Sequence, residues 1–166
     1  MKKLWRKYRG EILFIFLLTS VCFQYYDGLL NTSPSNTHLW RQTDCLSITR
    51  NYSEGASFLA PEMDILLADD LQTGKTAGEF PILYWLVGKY WQAFGESHFV
   101  YRLFYLLILV TGLFAFFKSL KVIFKSNFWS ITITLLLFTS PALINYGVSF
   151  LTDAPAFCFI LIALHF

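Results

Sequence analysis

The chain has 166 residues, of which 55% are hydrophobic, 19% are aromatic and only 14% are charged. A soluble domain usually carries about 25% charged residues, so this composition excludes an ordinary soluble domain and indicates an integral membrane protein. The net charge of +2 adds little, because the charges are segregated along the chain.

A basic tail precedes the first apolar run, Ile12 to Phe23. A secretory signal peptide has this pattern, but no small-x-small cleavage site follows the run, which leads instead into Gln24 and Asp27. A membrane span needs about 20 mostly apolar residues. We therefore predict an uncleaved first span over residues 11–30.

Further apolar stretches follow a long polar segment at residues 31–99. Their lengths predict spans over 100–117 and 128–147, and a fourth that begins near Asp153 and runs to Phe166. A helix from Ala154 to Phe166 would rise only about 20 Å, against a hydrocarbon core of about 30 Å. We therefore expect the fourth span to be incomplete, and the chain to be the N-terminal part of a longer protein or a truncated gene product.

The distribution of basic residues predicts the orientation, because cytoplasmic segments are enriched in Lys and Arg. Basic residues cluster in the tail and after the second span, whereas the 31–99 segment has an acidic excess. We therefore expect a cytoplasmic N-terminus and an external loop at 31–99 in a bacterial inner membrane. The basic residues are Lys2, Lys3, Arg6, Lys7, Arg9, Lys118, Lys121 and Lys125, and the acids are Asp44, Glu54, Glu62, Asp64, Asp69, Asp70, Glu79 and Glu96.

Two helices are predicted inside this loop. Thr43 is a candidate cap for a helix that begins at Asp44 and ends at Gly55. The second runs from Pro81, a residue favoured at the first helical position, to Phe94. Its tyrosines and tryptophans are the residue types that settle among lipid headgroups. The expected fold class is all-α: a polytopic membrane helical bundle with a large first external loop carrying two interfacial helices.

Three motifs in this loop carry a resemblance to a known family. They are Trp40-Arg-Gln-x-Asp44, Gly78-Glu-Phe-Pro81-x-x-Tyr84-Trp-Leu and Phe94-Gly-Glu-x-x-Phe99-x-x-Arg102-Leu. Their order and spacing resemble the opening of the GT-C membrane glycosyltransferases. The nearest patterns are the protein O-mannosyltransferase-like family, of the glycosyltransferase family 39 type, and the transferase that places aminoarabinose on lipid A.

The resemblance implies a catalytic carboxylate in the first loop. The family usually has an Asp-Glu pair about three residues before Asp44, where this chain has no acid, so Asp44 is the candidate by proximity. Its expected role is that of general base on an acceptor hydroxyl; the alternative is a first-turn Asp stabilised by the helix dipole. Glu79 is the second catalytic candidate, with a role in orienting the acceptor or a metal, or only in capping the following helix.

The remaining candidates are expected to bind substrate. Arg41 is expected to bind the donor phosphate, because a guanidinium matches phosphate oxygens, with lipid headgroups as its alternative partner. Trp40 and Gln42 share its motif. Asp153 is expected to line the site or to cap a helix, and for Arg102 we favour snorkelling at the membrane edge over substrate binding. The lipid A enzyme has a Lys where this chain has Phe80, so phosphate binding by that Lys cannot be transferred.

The resemblance therefore implies an inverting glycosyltransferase that moves a sugar from a polyprenyl-phosphate donor to an envelope lipid, glycan or protein. We expect the chain to be inactive alone. Membrane lipid is the other expected partner, and nucleic acid is not expected. No cofactor motif and no metal cluster appears, and the sequence leaves open whether a divalent metal takes part. The alternatives are a non-catalytic membrane subunit or transporter-like protein whose loop docks a partner, and an inactive truncated product.

Overall fold

The computed structural model describes residues 2–35, 38–64, 74–76 and 78–166, with side chains from residue 8 onward. Asp69 and Asp70, two of the predicted external acids, lie outside these ranges. In the described residues the regular structure is helical, apart from an isolated antiparallel bridge between Glu62 and Lys75. The prediction of an all-α fold is therefore confirmed. The helices are α1 Lys2–Tyr26, α2 Leu39–Glu54, α3 Ile82–Phe94, α4 His98–Phe124, α5 Asn127–Phe138, α6 Pro141–Tyr146 and α7 Asp153–Ala163, with a 3₁₀ turn at Leu29–Asn31.

The chain divides into two compact units. The hydrophobic unit comprises Met1–Leu30, Tyr105–Val148 and Asp153–Phe166. The loop unit comprises Asn31–Phe104 and Ser149–Thr152, and so contains nearly all of the segment predicted to be an external loop.

The hydrophobic unit has an aromatic and aliphatic core. Phe14 of α1 stacks on Phe117 of α4 with ring centroids 4.4 Å apart, and both side chains are fully buried. Gly112 allows α4 to approach α7, because a Cβ at this position would lie 2.6 Å from the Cβ of Cys158. Small residues serve this purpose where membrane helices pack closely.

Among the described residues, α4 is the one helix that is both long and apolar enough to cross a membrane. Its bounds extend the predicted span at 100–117 by two residues before it and seven after it. The helices α5 and α7 are apolar but shorter, at 12 and 11 residues. The first predicted span, 11–30, corresponds to α1 and the 3₁₀ turn that follows it.

The span predicted over 128–147 is not one continuous helix. The helix α5 ends at Phe138, and α6 begins at Pro141. Proline lacks an amide hydrogen and disfavours helical geometry in the residue before it, so it starts a new helix more readily than it continues one. Ser140 caps α6, because its hydroxyl accepts a hydrogen bond from the backbone N–H of Leu143 at 3.4 Å.

The helix α2 begins at Leu39, five residues before its predicted start at Asp44. Thr43 does not cap it, because the Thr43 hydroxyl donates to the carbonyl oxygen of Trp40 at 2.6 Å. The predicted end is confirmed: Gly55 follows the last helical residue with φ of 111°, a conformation that glycine adopts without strain. The second loop helix is also confirmed, since α3 covers Ile82–Phe94 with Pro81 as its N-cap residue.

The helices α2 and α3 pack closely in the loop unit. Gly88 makes this approach possible, because a Cβ there would lie 2.6 Å from Tyr52 Cβ and 2.8 Å from the carbonyl oxygen of Thr49. The packed face is lined by buried side chains from both helices, which are Cys45, Leu46, Thr49, Tyr52, Leu83, Tyr84, Val87 and Trp91.

We predict that Gly88→Ala destabilises the chain by about 1–3 kcal/mol, because the added methyl meets backbone atoms that cannot move without separating the helices. In an open helical position the same change would stabilise by up to about 1 kcal/mol. Thermal unfolding in detergent measures the effect. Gly78→Ala is the matched control, since among the described residues no atom beyond its chain neighbours lies within 4 Å of a Cβ there. Equal stability of the Gly88→Ala variant and the parent would contradict close packing at Gly88.

Candidate functional site

The carboxylate of Glu79 lies at the centre of the candidate site. Its Oε1 accepts a hydrogen bond from Arg41 Nη2 in an ion pair. Its Oε2 accepts from Tyr84 Oη at 2.5 Å and from Thr152 Oγ1. Both carboxylate oxygens are therefore engaged, by donors from α2, from α3 and from the segment before α7.

These donors determine the ionisation of Glu79. Partial burial raises the pKa of Glu79, but the hydrogen bonds from Thr152, Tyr84 and Arg41 outweigh it and hold the pKa below its usual range. The side chains of Arg41 and Glu79 are each 35% exposed, so an anion can still reach the guanidinium. Glu79 is thus an ionised hydrogen-bond acceptor and a poor proton acceptor. Its expected role in orienting the acceptor or a metal stays a prediction.

Asp44 differs from Glu79 in its contacts and in the direction of its pKa shift. It lies one helical turn after Arg41, at the i+3 position that places two side chains on the same helix surface. It is partly buried, and it makes no hydrogen bond or ion pair in the part of the chain that the structure describes. Burial raises its pKa above the usual aspartate range.

The observed start of α2 also weakens the alternative explanation of Asp44. A favourable helix dipole acts mainly within the first turn. Because α2 begins at Leu39, Asp44 is its sixth residue and the first turn contains no acid. A partly buried carboxylate with a raised pKa and no partner among the described residues suits proton transfer better than helix capping.

Tyr84 and Cys45 form the buried floor behind Glu79. Tyr84 is 2% exposed and Cys45 is 4% exposed, and the Cys45 Sγ lies 3.2 Å from Tyr84 Oη. Burial raises the pKa of the Cys45 thiol to about 11 and also raises the pKa of Tyr84, so both groups are neutral at physiological pH. Tyr84 therefore keeps its proton and acts as the hydrogen-bond donor to Glu79.

The other predicted binding residues lie in different settings. Trp40 is 68% exposed. Gln42 is buried, and its Nε2 donates to the carbonyl oxygen of Ser35 at 2.9 Å. Asp153 is exposed and is the first residue of α7, in the hydrophobic unit, in the position expected of a helix-capping acid.

Arg102 is enclosed by the loop unit. The interpretation of Arg102 as a snorkelling side chain is wrong, because the residue is 3% exposed. Its Nε donates to the carbonyl oxygen of Thr32 and its Nη2 to that of Ser33, each at 3.2 Å. The guanidinium carbon also lies 4.3 Å from the centre of the Phe150 ring. These contacts fasten the 32–33 segment to the start of α4, a structural role.

Thr152 is the site residue that sequence reasoning missed. It belongs to a short segment, Ser149–Thr152, that joins the loop unit from far along the chain. Fully buried Phe150 anchors this segment with its ring centroid 4.9 Å from that of Tyr101. In this part of the chain the sequence indicated only the next residue, Asp153, as a candidate site residue. The contribution of Tyr84 was also missed, although Tyr84 is part of the second motif.

A second ion pair connects α2 to Glu96, a residue of the third motif. Arg50 binds Glu96 through two hydrogen bonds, Nε to Oε2 at 3.1 Å and Nη2 to Oε1 at 2.9 Å. These hydrogen bonds hold the pKa of Glu96 below its usual range. Arg50 is thus a guanidinium on α2 that already has a bidentate carboxylate partner.

In the described residues, no three His, Cys, Asp or Glu side chains come together as a group that could hold a metal ion. In comparisons with known proteins, no family model matches the chain, and no curated protein or solved structure shows significant similarity to it.

We predict that Asp44→Asn makes the chain slightly more stable at pH 7. A raised pKa means that the folded state favours the protonated form of Asp44. Protonated Asp44 therefore stabilises the folded chain below the ordinary aspartate pKa, and this stabilisation is lost as the pH rises through the raised pKa. Asparagine does not ionise, so Asp44→Asn should raise the free energy of unfolding at pH 7. The gain is at most about 0.5 kcal/mol, because the group is only partly buried. Thermal unfolding at several pH values measures the difference, which should vanish near pH 3. Glu54→Gln, at an exposed acid of the same helix, is the control. A less stable Asp44→Asn variant at pH 7 would contradict the prediction.

Proposed function

We propose that the chain belongs to a membrane glycosyltransferase of the GT-C type that takes a sugar from a polyprenyl-phosphate donor. The observation that carries the proposal is the difference between its two carboxylates. Asp44 has a raised pKa and makes no hydrogen bond or ion pair to another described residue, whereas Glu79 is ionised and holds Arg41 one turn away on the same helix as Asp44. Environments that push the pKa values of two acids apart commonly accompany a division of catalytic roles.

The proposed reaction is an inverting single displacement. Asp44 accepts the proton of the acceptor hydroxyl as its oxygen bonds to the anomeric carbon of the sugar. The bond between that carbon and the phosphate oxygen breaks at the same time, and the lipid phosphate leaves with the electron pair. Arg41 stabilises the charge that develops on the phosphate, since a guanidinium forms strong charge-assisted hydrogen bonds with phosphate oxygens. Glu79 orients Arg41 in this scheme.

The surface of the loop unit supports a location at a membrane. The residues of α3 that face away from α2 include an exposed apolar stripe at i, i+4, i+8 and i+12: Ile82, Leu86, Tyr90 and Phe94. A helix with apolar residues on both faces, one packed and one exposed, suits a position in the lipid interface. Together with α4 as a candidate span, this supports a location of the loop unit at a membrane surface.

The proposed base and phosphate ligand can be tested in two assays. Transfer of labelled sugar is measured in membranes of cells whose chromosomal gene carries Asp44→Asn, and we expect a loss of at least about 100-fold. Binding of undecaprenyl phosphate to the purified chain is measured by native mass spectrometry, and we expect Arg41→Gln to weaken it about tenfold. Glu54→Gln controls for the first change and Arg50→Gln for the second, because Arg50 is already paired with Glu96.

Two outcomes would refute these assignments. Near-normal transfer by the Asp44→Asn protein would mean that the base lies elsewhere. A purified chain that binds no polyprenyl phosphate would favour the alternative, a non-catalytic subunit that uses the exposed stripe of α3 to bind a partner.

We predict that Ser57 is external and Ser126 is cytoplasmic, because the basic residues lie next to the second position. Ser57→Cys and Ser126→Cys are made separately in a chain lacking Cys22, Cys45 and Cys158, and intact spheroplasts are treated with an impermeant thiol reagent. Labelling of the Ser57→Cys chain alone is expected, and both chains should be labelled after lysis. The reverse pattern in intact spheroplasts would invert the orientation and remove Asp44 from the external face.

A further inference from the structure

The ion pair between Arg41 and Glu79 depends on how the Glu79 carboxylate is held. One of its oxygens is used by Arg41, and the other accepts from the hydroxyls of Tyr84 and Thr152. Two donors on Oε2 leave the carboxylate little freedom to rotate about its terminal torsion. Its Oε1 is thereby directed at the guanidinium.

We propose that Tyr84 and Thr152 are positioning residues that fix the Glu79 carboxylate, so that Glu79 holds Arg41 in the orientation that receives an anionic phosphoryl group. This inference rests on the proposed function for the ligand, but its structural step does not. Neither hydroxyl is expected to touch substrate; both act through Glu79.

The burial of Tyr84 makes its contribution rigid. The ring is 2% exposed within the α2–α3 packing, and Cys45 contacts the same hydroxyl from α2. Because neutral Tyr84 is the donor, its hydrogen bond favours the ionised form of Glu79. Thr152 adds the second donor from a segment that Phe150 anchors against Tyr101. The carboxylate is thus held by Tyr84, five residues further along the chain, and by Thr152, 73 residues away in a separate segment.

The ionisable groups around Glu79 come from three helices. Arg41, Asp44 and Cys45 belong to α2, Tyr84 belongs to α3, and Tyr101 of α4 interacts electrostatically with Tyr84. Since burial keeps Cys45 and Tyr84 neutral, Arg41 is the cation that faces Glu79 within the described residues. Removal of either hydroxyl donor should therefore raise the pKa of Glu79, while Arg41 remains.

The test measures Glu79 directly. Carbon-13 NMR of the chain labelled at the glutamate carboxyl carbons, in detergent micelles, follows each of the five glutamates with pH, and Glu79→Gln assigns the signal. We expect Tyr84→Phe and Thr152→Val to raise the pKa of Glu79, and Thr152→Ser to keep it near the parent value. Tyr90→Phe, at an exposed tyrosine of the same helix, is the matched control and should leave the pKa unchanged.

Ligand binding tests the connection to Arg41. With farnesyl phosphate as the probe in titration calorimetry, Tyr84→Phe should weaken binding about tenfold, the loss expected for one hydrogen bond to a charged group. In the Glu79→Gln background the same change should have no further effect, because residues that act through one partner are not additive. Inorganic phosphate, used alongside, shows whether the isoprenyl chain contributes to affinity.

Distinct results overturn the two proposals. An unchanged Glu79 pKa in the folded Tyr84→Phe and Thr152→Val variants overturns the positioning role, and so does additive weakening in the Glu79→Gln background. Absence of farnesyl phosphate binding by the parent chain overturns the proposed function, while the NMR titration still decides whether Tyr84 and Thr152 position Glu79.

Discussion

The organisation of the loop unit depends on one partly buried carboxylate. An ionised group that is withdrawn from water must recover its lost hydration through hydrogen bonds. Glu79 does so with Arg41 from α2, Tyr84 from α3 and Thr152 from the segment before α7. These donors come from positions 38 residues before Glu79 to 73 residues after it, so the carboxylate joins parts of the chain that have no local reason to meet.

The same requirement explains why the two candidate acids differ. Glu79 has three donors and a lowered pKa, whereas Asp44 is partly buried, accepts from no described donor and has a raised pKa. Burial is the cause of the raised pKa of Asp44, which lies on the turn after Arg41. One helix surface therefore presents a fixed cation and a carboxylate that can take up a proton, which is the pair that the proposed transfer chemistry requires.

This arrangement relies on packing away from the carboxylate. Gly88 lets α3 lie close enough to α2 for Tyr84 to sit beneath Glu79 and against Cys45. Arg102 and Gln42 fasten the entering segment at 32–35 through its carbonyl oxygens. Phe150 fixes the short segment that carries Thr152. Polar and apolar contacts thus act together, since the hydrogen bonds reach their partners only because the helices are held at these distances.

Helix content and some of the helix ends could be predicted from the sequence, because they depend on nearby residues. Its composition and apolar runs predicted an all-helical chain with a polar segment after the first helix. Gly55 and Pro81 marked an end and a start of helices, because glycine tolerates positive φ and proline suits a first turn. The first two motifs contained Arg41, Glu79 and Tyr84, which meet in the site. Local signals misplaced the start of α2 and joined α5 to α6, since Thr43 bonds back to Trp40 and Pro141 follows a capping serine.

The contacts that each of these residues makes are visible only in the folded structure. Whether a carboxylate is a base or an anchor depends on its donors and its burial, and those come from residues distant in sequence. Thr152 could not be assigned to Glu79 from its own neighbours, and Arg102 reads as a membrane-edge residue until Thr32, Ser33 and Phe150 are placed around it. Sequence spacing determines which side chains share a helix face. The pKa of a side chain and its partner depend instead on burial, nearby charges and hydrogen bonds, which are set when distant parts of the chain pack together.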